Sequence, residues 1–373
     1  MWQPQGIFTR FVLRSPVILS GEEAIRGLFN YPACRVAVIH GTHFNDQALF
    51  TAVFAKKFCT FIARSWNEEP DLPSLQPVIR ELESLRPDLI IACGGGSVID
   101  GAKLCRLLLE YPSFRPGAPL DAAQLRTAFI AVPTTFGSGA EVSSAAVFVN
   151  RELKRKEMVV AHELQPAAIV YDPRYLATSN AQLCLAALDC LAHLLEGYVS
   201  VIDHPLLERS AEAVLLRLCP ELVSLCKSPE HQPDLPLLQY AGFIGGQLQN
   251  HCLVGAAHAL SHQLTAYGYG HCEAVGLLLP AVIKANLSAP QPREKYTALC
   301  RLLALSDPQG LCDFIGQIQI RAGIASRQAE LKSLLSHGLE DRQFCENVLA
   351  DPGGQGNPIP LTADFLKLIV ESL

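Results

Sequence analysis

The chain has 373 residues, 49% of them hydrophobic and 18% charged, a composition that fits a well-buried globular protein and excludes a disordered or coiled-coil one. Its 36 acidic and 30 basic residues give a net charge of −6 with no basic tract able to neutralise a phosphate backbone, so nucleic acid is not expected as a partner. Thirteen cysteines without a CxxC pair argue against a disulfide framework or a thiolate zinc site, and the N-terminal MWQPQGIFTRFVLRSPVIL lacks a leader pattern, so a soluble cytoplasmic protein with no membrane-spanning stretch is expected.

The length exceeds what one core usually serves, so two domains are expected. The first half alternates short apolar runs with helical patterns, as parallel strands joined by crossover helices do. RVAVIHG (35–41), FCTFIA (58–63), PDLIIACGGGS (87–97), TAFIAVPTT (127–135) and AAIVYDP (167–173) read as strands, with a crossover helix in LPSLQPVIRELESLR. After about residue 178 the β-branched runs stop. AQLCLAALDCLAHLLEGYVS, HPLLERSAEAVLLRLCPELVSLC and PLLQYAGFIGGQLQNHCLVGAAHALSHQL each have helical length and period, and DPGGQGNPIP (351–360) reads as a turn before a last helix.

Four places could carry chemistry. Gly94, Gly95, Gly96 and Ser97 follow a strand and open a helix, where glycines admit a phosphate to free backbone N–H groups; a tight turn recruits the same residues. Asp100 would cap or hold that loop. PTTFGSGAEVSS (133–144) ends another strand of the same sheet and is rich in hydroxyls and glycine, as a ligand loop or any loop can be. Asp189 and His193 stand at i and i+4 on a strongly apolar helix, where they need pairing or a metal; a buried Asp–His hydrogen bond is the plainer alternative. With His258 on a second helix and His271 in the following loop, the set becomes one Asp and three His, donors that suit Fe²⁺ or Zn²⁺. His258 and His262 share one helical face at i and i+4.

Taken together these motifs resemble those of the iron-containing (group III) alcohol dehydrogenase family, part of the dehydroquinate synthase-like superfamily. CGGGSVIDGAK is similar to its GGGSxxDxAK, PTTFGSGAEVS to PTTxGTGSEVT, AALDCLAHLLEGYVS to GxDALxHxxEAY, GAAHALSH to GxxHAxAH, and LADPGGQGNPIPLT to a tail ending in NPxPLT. The resemblance implies an α/β N-terminal dinucleotide-binding domain (1–178) and an all-α C-terminal metal-binding and substrate domain (179–373), with the active site between them. It implies metal ligation by Asp189, His193, His258 and His271, and a non-ligand His262 near the nicotinamide as the catalytic residue. Gly94, Gly95, Gly96, Ser97 and Asp100 would form the first nucleotide loop, Thr134, Thr135 and Ser138 the second, and Lys156 a lysine near the cofactor. Gly41 and Thr42 stand where relatives that prefer NAD often carry an aspartate, which leaves NADPH or NADH open and leans toward NADPH.

The chain departs from the family pattern in places. The stretch from His262 to His271 is one residue shorter than the commonest spacing, GHC replaces PHG, Gly139-Ala140 replaces Gly-Ser, and Ala187 replaces a frequent glycine. The function implied is metal-dependent hydride transfer between NAD(P) and a small alcohol or aldehyde, in a homodimer. Its rivals are a dehydroquinate synthase-like lyase, whose HGEAV the HCEAV segment resembles, and a catalytically silent nucleotide-binding relative.

Overall fold

A computed structural model describes residues 13–117, 125–153, 155–176 and 178–373. The stretch 1–12, part of the segment read above for a leader, lies outside the described residues. Strands β1 (Val17–Ser20), β2 (Arg35–His40), β3 (Phe58–Ala63), β4 (Leu89–Gly94), β5 (Ala128–Pro133) and β8 (Ala168–Tyr171) form one parallel sheet in the order β1-β8-β5-β4-β2-β3, and β6 (Ala145–Asn150) pairs with β7 (Arg155–Val160) as an antiparallel hairpin. Both faces of the large sheet are covered, which explains why its central runs are apolar throughout. On β2, Ala37 and Ile39 join a core with Val78, Ile79 and Leu82 of α2 (Gln76–Leu85) and Leu104 of α3 (Gly96–Glu110). Val36 and Val38 point the other way, toward Leu49, Phe50 and Val53 of α1 (Gln47–Val53).

The remaining helices pack together: α4 (Asn180–Val199), α5 (Pro205–Lys227), α6 (Leu235–Cys252), α7 (Ala256–Leu264), α8 (His271–Asn286), α9 (Pro290–Leu302), α10 (Pro308–Ala322), α11 (Gln328–Gly338), α12 (Arg342–Leu349) and α13 (Ala363–Ser372). By length and composition alone α4 could cross a membrane, contrary to the expectation that no stretch reaches that length; it is instead the buried centre of the helical core.

The five expected strands are present, and three more were not expected. Two further differences bear on the site. The single helical pattern over 236–264 is broken between α6 and α7, where Leu253 takes φ 62. His271, expected in a loop, is the first residue of α8.

Glycines set how closely the two parts approach. Thr134 N–H bonds to Gly94 O at 3.1 Å, so the loops after β4 and β5 lie side by side. The second loop then rests on α6 backbone to backbone: a Cβ on Gly242 would meet Phe136 O at 2.3 Å, and one on Gly246 would meet Gly139 Cα at 2.9 Å. Gly139 has φ +61, so glycine is needed there for conformation as well as for space.

Candidate metal centre and nucleotide cleft

The site is built on α4. Asp189, His193 and Glu196 occupy positions i, i+4 and i+7, one helical face, and all three are buried. Glu196 was not among the expected site residues, although its spacing from Asp189 and His193 marks it as one. Its carboxylate accepts the N–H groups of Gly255 at 2.9 Å and Ala257 at 2.8 Å, donors that the start of α7 leaves without helical partners, and the Nδ1–H of His258 at 2.6 Å. One acid therefore caps α7 and fixes the ring orientation of the histidine that α7 carries.

Around Asp189 the imidazoles converge. His258 Nε2 lies 3.4 Å and His271 Nε2 3.6 Å from Asp189 Oδ1, while Cys272 Sγ donates to Asp189 Oδ2 at 3.6 Å. Asp189, His258 and His271 each present a ligand atom within 4.8 Å of the others, a spacing that donors about 2.0–2.2 Å from a shared ion satisfy. His193 stands beside this trio rather than within it. Its ring stacks on that of His258 at 4.5 Å, and its Nδ1–H donates to Gly137 O at 3.0 Å.

Asp189 Oδ1, His193 Nε2 and His258 Nε2 are buried with no hydrogen-bond partner. Leaving three such atoms unsatisfied is costly; with the Nδ1 bonds setting the histidine tautomers, Asp189 Oδ1 and His193 Nε2 present lone pairs, and His258 Nε2 presents one once its proton is displaced. A divalent cation fits this donor set of nitrogen and oxygen. Burial alone would raise the Asp189 carboxyl, but the charges of His193 and His271 and the contact with His258 hold it well below the usual range. Burial pushes His193 down to about 4 and, with the Lys156 ammonium nearby, takes His271 well below its ordinary value. For His258 burial is outweighed by the facing carboxylates of Asp189 and Glu196, which push it up to about 9.

His262 donates Nδ1–H to Asp351 at 2.7 Å, and its ring stacks on that of His271 at 5.7 Å. Asp351 is a second residue the sequence reading passed over. It lies in the DPGGQGNPIP stretch, expected as a turn and as part of a family-like tail but not as a source of a site residue.

The nucleotide residues divide. Gly95 caps α3 without a side-chain bond, and a Cβ on Gly96 would meet Ser138 Oγ at 2.7 Å, so the two loops enclose a cradle that a side chain would fill. Gly94, Ser97, Thr134 and Thr135 line the same edge, and Gly41 and Thr42 follow the neighbouring β2. Asp100 turns elsewhere: its Oδ2 accepts Val147 N–H at 3.2 Å and its Oδ1 lies 3.7 Å from Lys103 Nζ. Lys156, on β7, pairs with Glu69 at 2.6 Å and faces the His271 side of the site.

Family models describe both parts of the chain: "Iron-containing alcohol dehydrogenase" matches residues 16–173 and "Fe-containing alcohol dehydrogenase family, C-terminal" matches 184–372. The chain is 26% identical over 309 residues to an alcohol dehydrogenase of Thermococcus barophilus, covering 80% of each protein. It is 27% identical over 325 residues to an NADPH-dependent butanol dehydrogenase of Clostridium saccharobutylicum, covering 81% of each. Its fold is that of the iron-containing alcohol dehydrogenase of Thermococcus thioreducens, with a TM-score of 0.84 at 23% identity over 97% of this chain and 99% of that one.

Proposed function

The chain belongs to the iron-containing alcohol dehydrogenase family, and on that premise we propose that it interconverts a small alcohol and its aldehyde or ketone by hydride transfer, with NADPH or NADH and a divalent iron or zinc ion. Asp189, His193, His258 and His271 would hold the ion, and the loops at Gly94–Ser97 and Thr134–Ser138 the nucleotide. The observation that carries this reading is the set of buried, partnerless atoms Asp189 Oδ1, His193 Nε2 and His258 Nε2. They stand against the loop that also closes the nucleotide cradle, through the His193–Gly137 bond.

When bound, the cation supplies Lewis-acid polarisation of the substrate oxygen, and the nicotinamide supplies or accepts the hydride. The chain's own residues provide orientation and proton movement. Glu196 and Gly137 O hold His258 and His193 by their Nδ1–H groups, keeping each Nε2 lone pair available. Asp351 fixes His262 in the same way, leaving its Nε2 to exchange the proton that the substrate hydroxyl gains or loses. The NADPH-dependent butanol dehydrogenase among the relatives supports the nucleotide and substrate class.

The test is steady-state consumption of NADPH and NADH with a panel of aliphatic, polyol and acidic aldehydes, after loading with Fe²⁺ or Zn²⁺. Metal-dependent turnover is expected. Nucleotide binding without net oxidation of either coenzyme by any aldehyde would overturn the proposal.

A further inference from the structure

At the far edge of the sheet from the histidines sits a cation that the reaction does not use. The registers pair Cys93 with His40 and His40 with Ala63, so the loops after β4, β2 and β3 stand in a row. Arg64 is the first residue after β3. Its N–H bonds to His40 O at 3.0 Å, and its Nη1 donates to Ser97 Oγ at 3.5 Å.

Trp66 fixes this segment against the glycine-rich loop. Its Nε1 donates to Ser97 O and Oγ at 3.2 and 3.1 Å, and its ring fills the space where a Cβ on Gly101 would come within 2.1 Å. Arg64 is thereby held beside Ser97. Its Nε is nevertheless buried with no partner, and among the described residues no carboxylate pairs with it. A permanent cation with a desolvated, unpaired N–H is a ready site for an anion.

The direction of a dinucleotide across this edge follows from the fold. The candidate metal ligands lie against the loop after β5, through the His193–Gly137 bond, so the nicotinamide belongs on that side. Its pyrophosphate belongs at the N-terminus of α3, and the adenosine half must then extend the opposite way, over the ends of β2 and β3. There Gly41 and Thr42 offer no acid to bind a ribose hydroxyl. Asp46, the next carboxylate along the chain, accepts Tyr175 OH at 2.7 Å and lies 3.7 Å from Arg174.

We propose that Arg64 recognises the 2′-phosphate of NADPH, its guanidinium fork making the chain selective for the phosphorylated coenzyme. This rests on the nucleotide-binding part of the function proposed above.

The test is calorimetric titration of the full chain with adenosine 2′,5′-bisphosphate and with adenosine 5′-monophosphate. The wild type is expected to prefer the bisphosphate by about tenfold or more, the return of a charge-assisted hydrogen bond. Arg64→Ala should abolish that preference and leave 5′-monophosphate affinity unchanged, which also shows the site intact, while Arg64→Lys should keep part of it. A wild type with no preference, an Arg64→Ala variant that retains it, or one that loses both ligands alike would overturn the assignment. Because no aldehyde enters the titration, a chain that shows the preference but no turnover would fail the proposed reaction alone. A chain that turns over both coenzymes equally would fail Arg64 alone.

Discussion

Replacing Glu196 by Gln keeps the side-chain shape and removes the charge. The wild-type carboxylate takes three N–H groups, from Gly255, Ala257 and His258. A glutamine offers one oxygen and one NH₂, so at least one of those buried donors must face another donor, at a cost of about 1–3 kcal/mol. If the lost partner is His258 Nδ1–H, the ring is no longer held with Nε2 toward Asp189, and metal affinity should fall about 10- to 100-fold. Chelator competition for Zn²⁺ measures the second effect, and urea unfolding of the metal-free protein measures the first. Both should appear. A variant that loses stability yet binds metal within about twofold of the wild type would make Glu196 a cap of α7 only, and would refute the reasoning that His258 is oriented as a ligand.

Other outcomes follow from the same geometry. Asp351→Asn leaves one amide oxygen for the two N–H groups that the carboxylate accepts, from His262 and Gly353, and replaces the charged acceptor of His262 Nδ1–H, so kcat should fall about 100-fold with metal content unchanged, read from steady-state rates and metal analysis. Lys103 donates to the carbonyls of Ala140, Ser143 and Ala145 at 2.7, 2.8 and 2.7 Å from a buried position, and Lys103→Met leaves all three unsatisfied. Urea titration should show a loss of about 3 kcal/mol or more. In the metal-free protein His258 is pushed up to about 9, so below that pH the metal must displace its proton. Affinity should therefore weaken as pH falls, by about tenfold per unit while one proton is exchanged, and proton release on metal addition checks it.

Much of this was readable from residues because burial on both faces writes unbroken apolar runs: RVAVIH and LIIACG could only be central strands. The edge strand β1 escaped because it has four residues and Val17 is 63% exposed, so it lacks that signature. The β6–β7 hairpin escaped for a related reason, since RKEMVV is mostly polar and half-buried. The break before α7 was invisible to periodicity. It is a tertiary requirement, met by a left-handed Leu253, that lets the N–H groups of Gly255 and Ala257 reach Glu196.

At the site, Asp189, His258 and His271 stood out by residue type and motif and do come together in the fold, with His193 beside them. Their supporting acids did not stand out equally. Glu196 was visible as the third member of one helical face. Asp351 lies 89 residues from His262, and only the fold brings the two together. His271 was misread as a loop residue because Gly268 and Gly270 precede it; the signal that α8 starts there is Glu273, whose carboxylate accepts Gly270 N–H at 3.3 Å.

The central claim is that α4, α7 and α8 hold one divalent cation. The direct measurement is metal per chain by plasma mass spectrometry, after reconstitution with Fe²⁺ or Zn²⁺, for the wild type and for His271→Ala. The account predicts about one ion per wild-type chain and its loss from the variant. A folded wild type that stays metal-free, or a His271→Ala protein that retains a full complement, would contradict it.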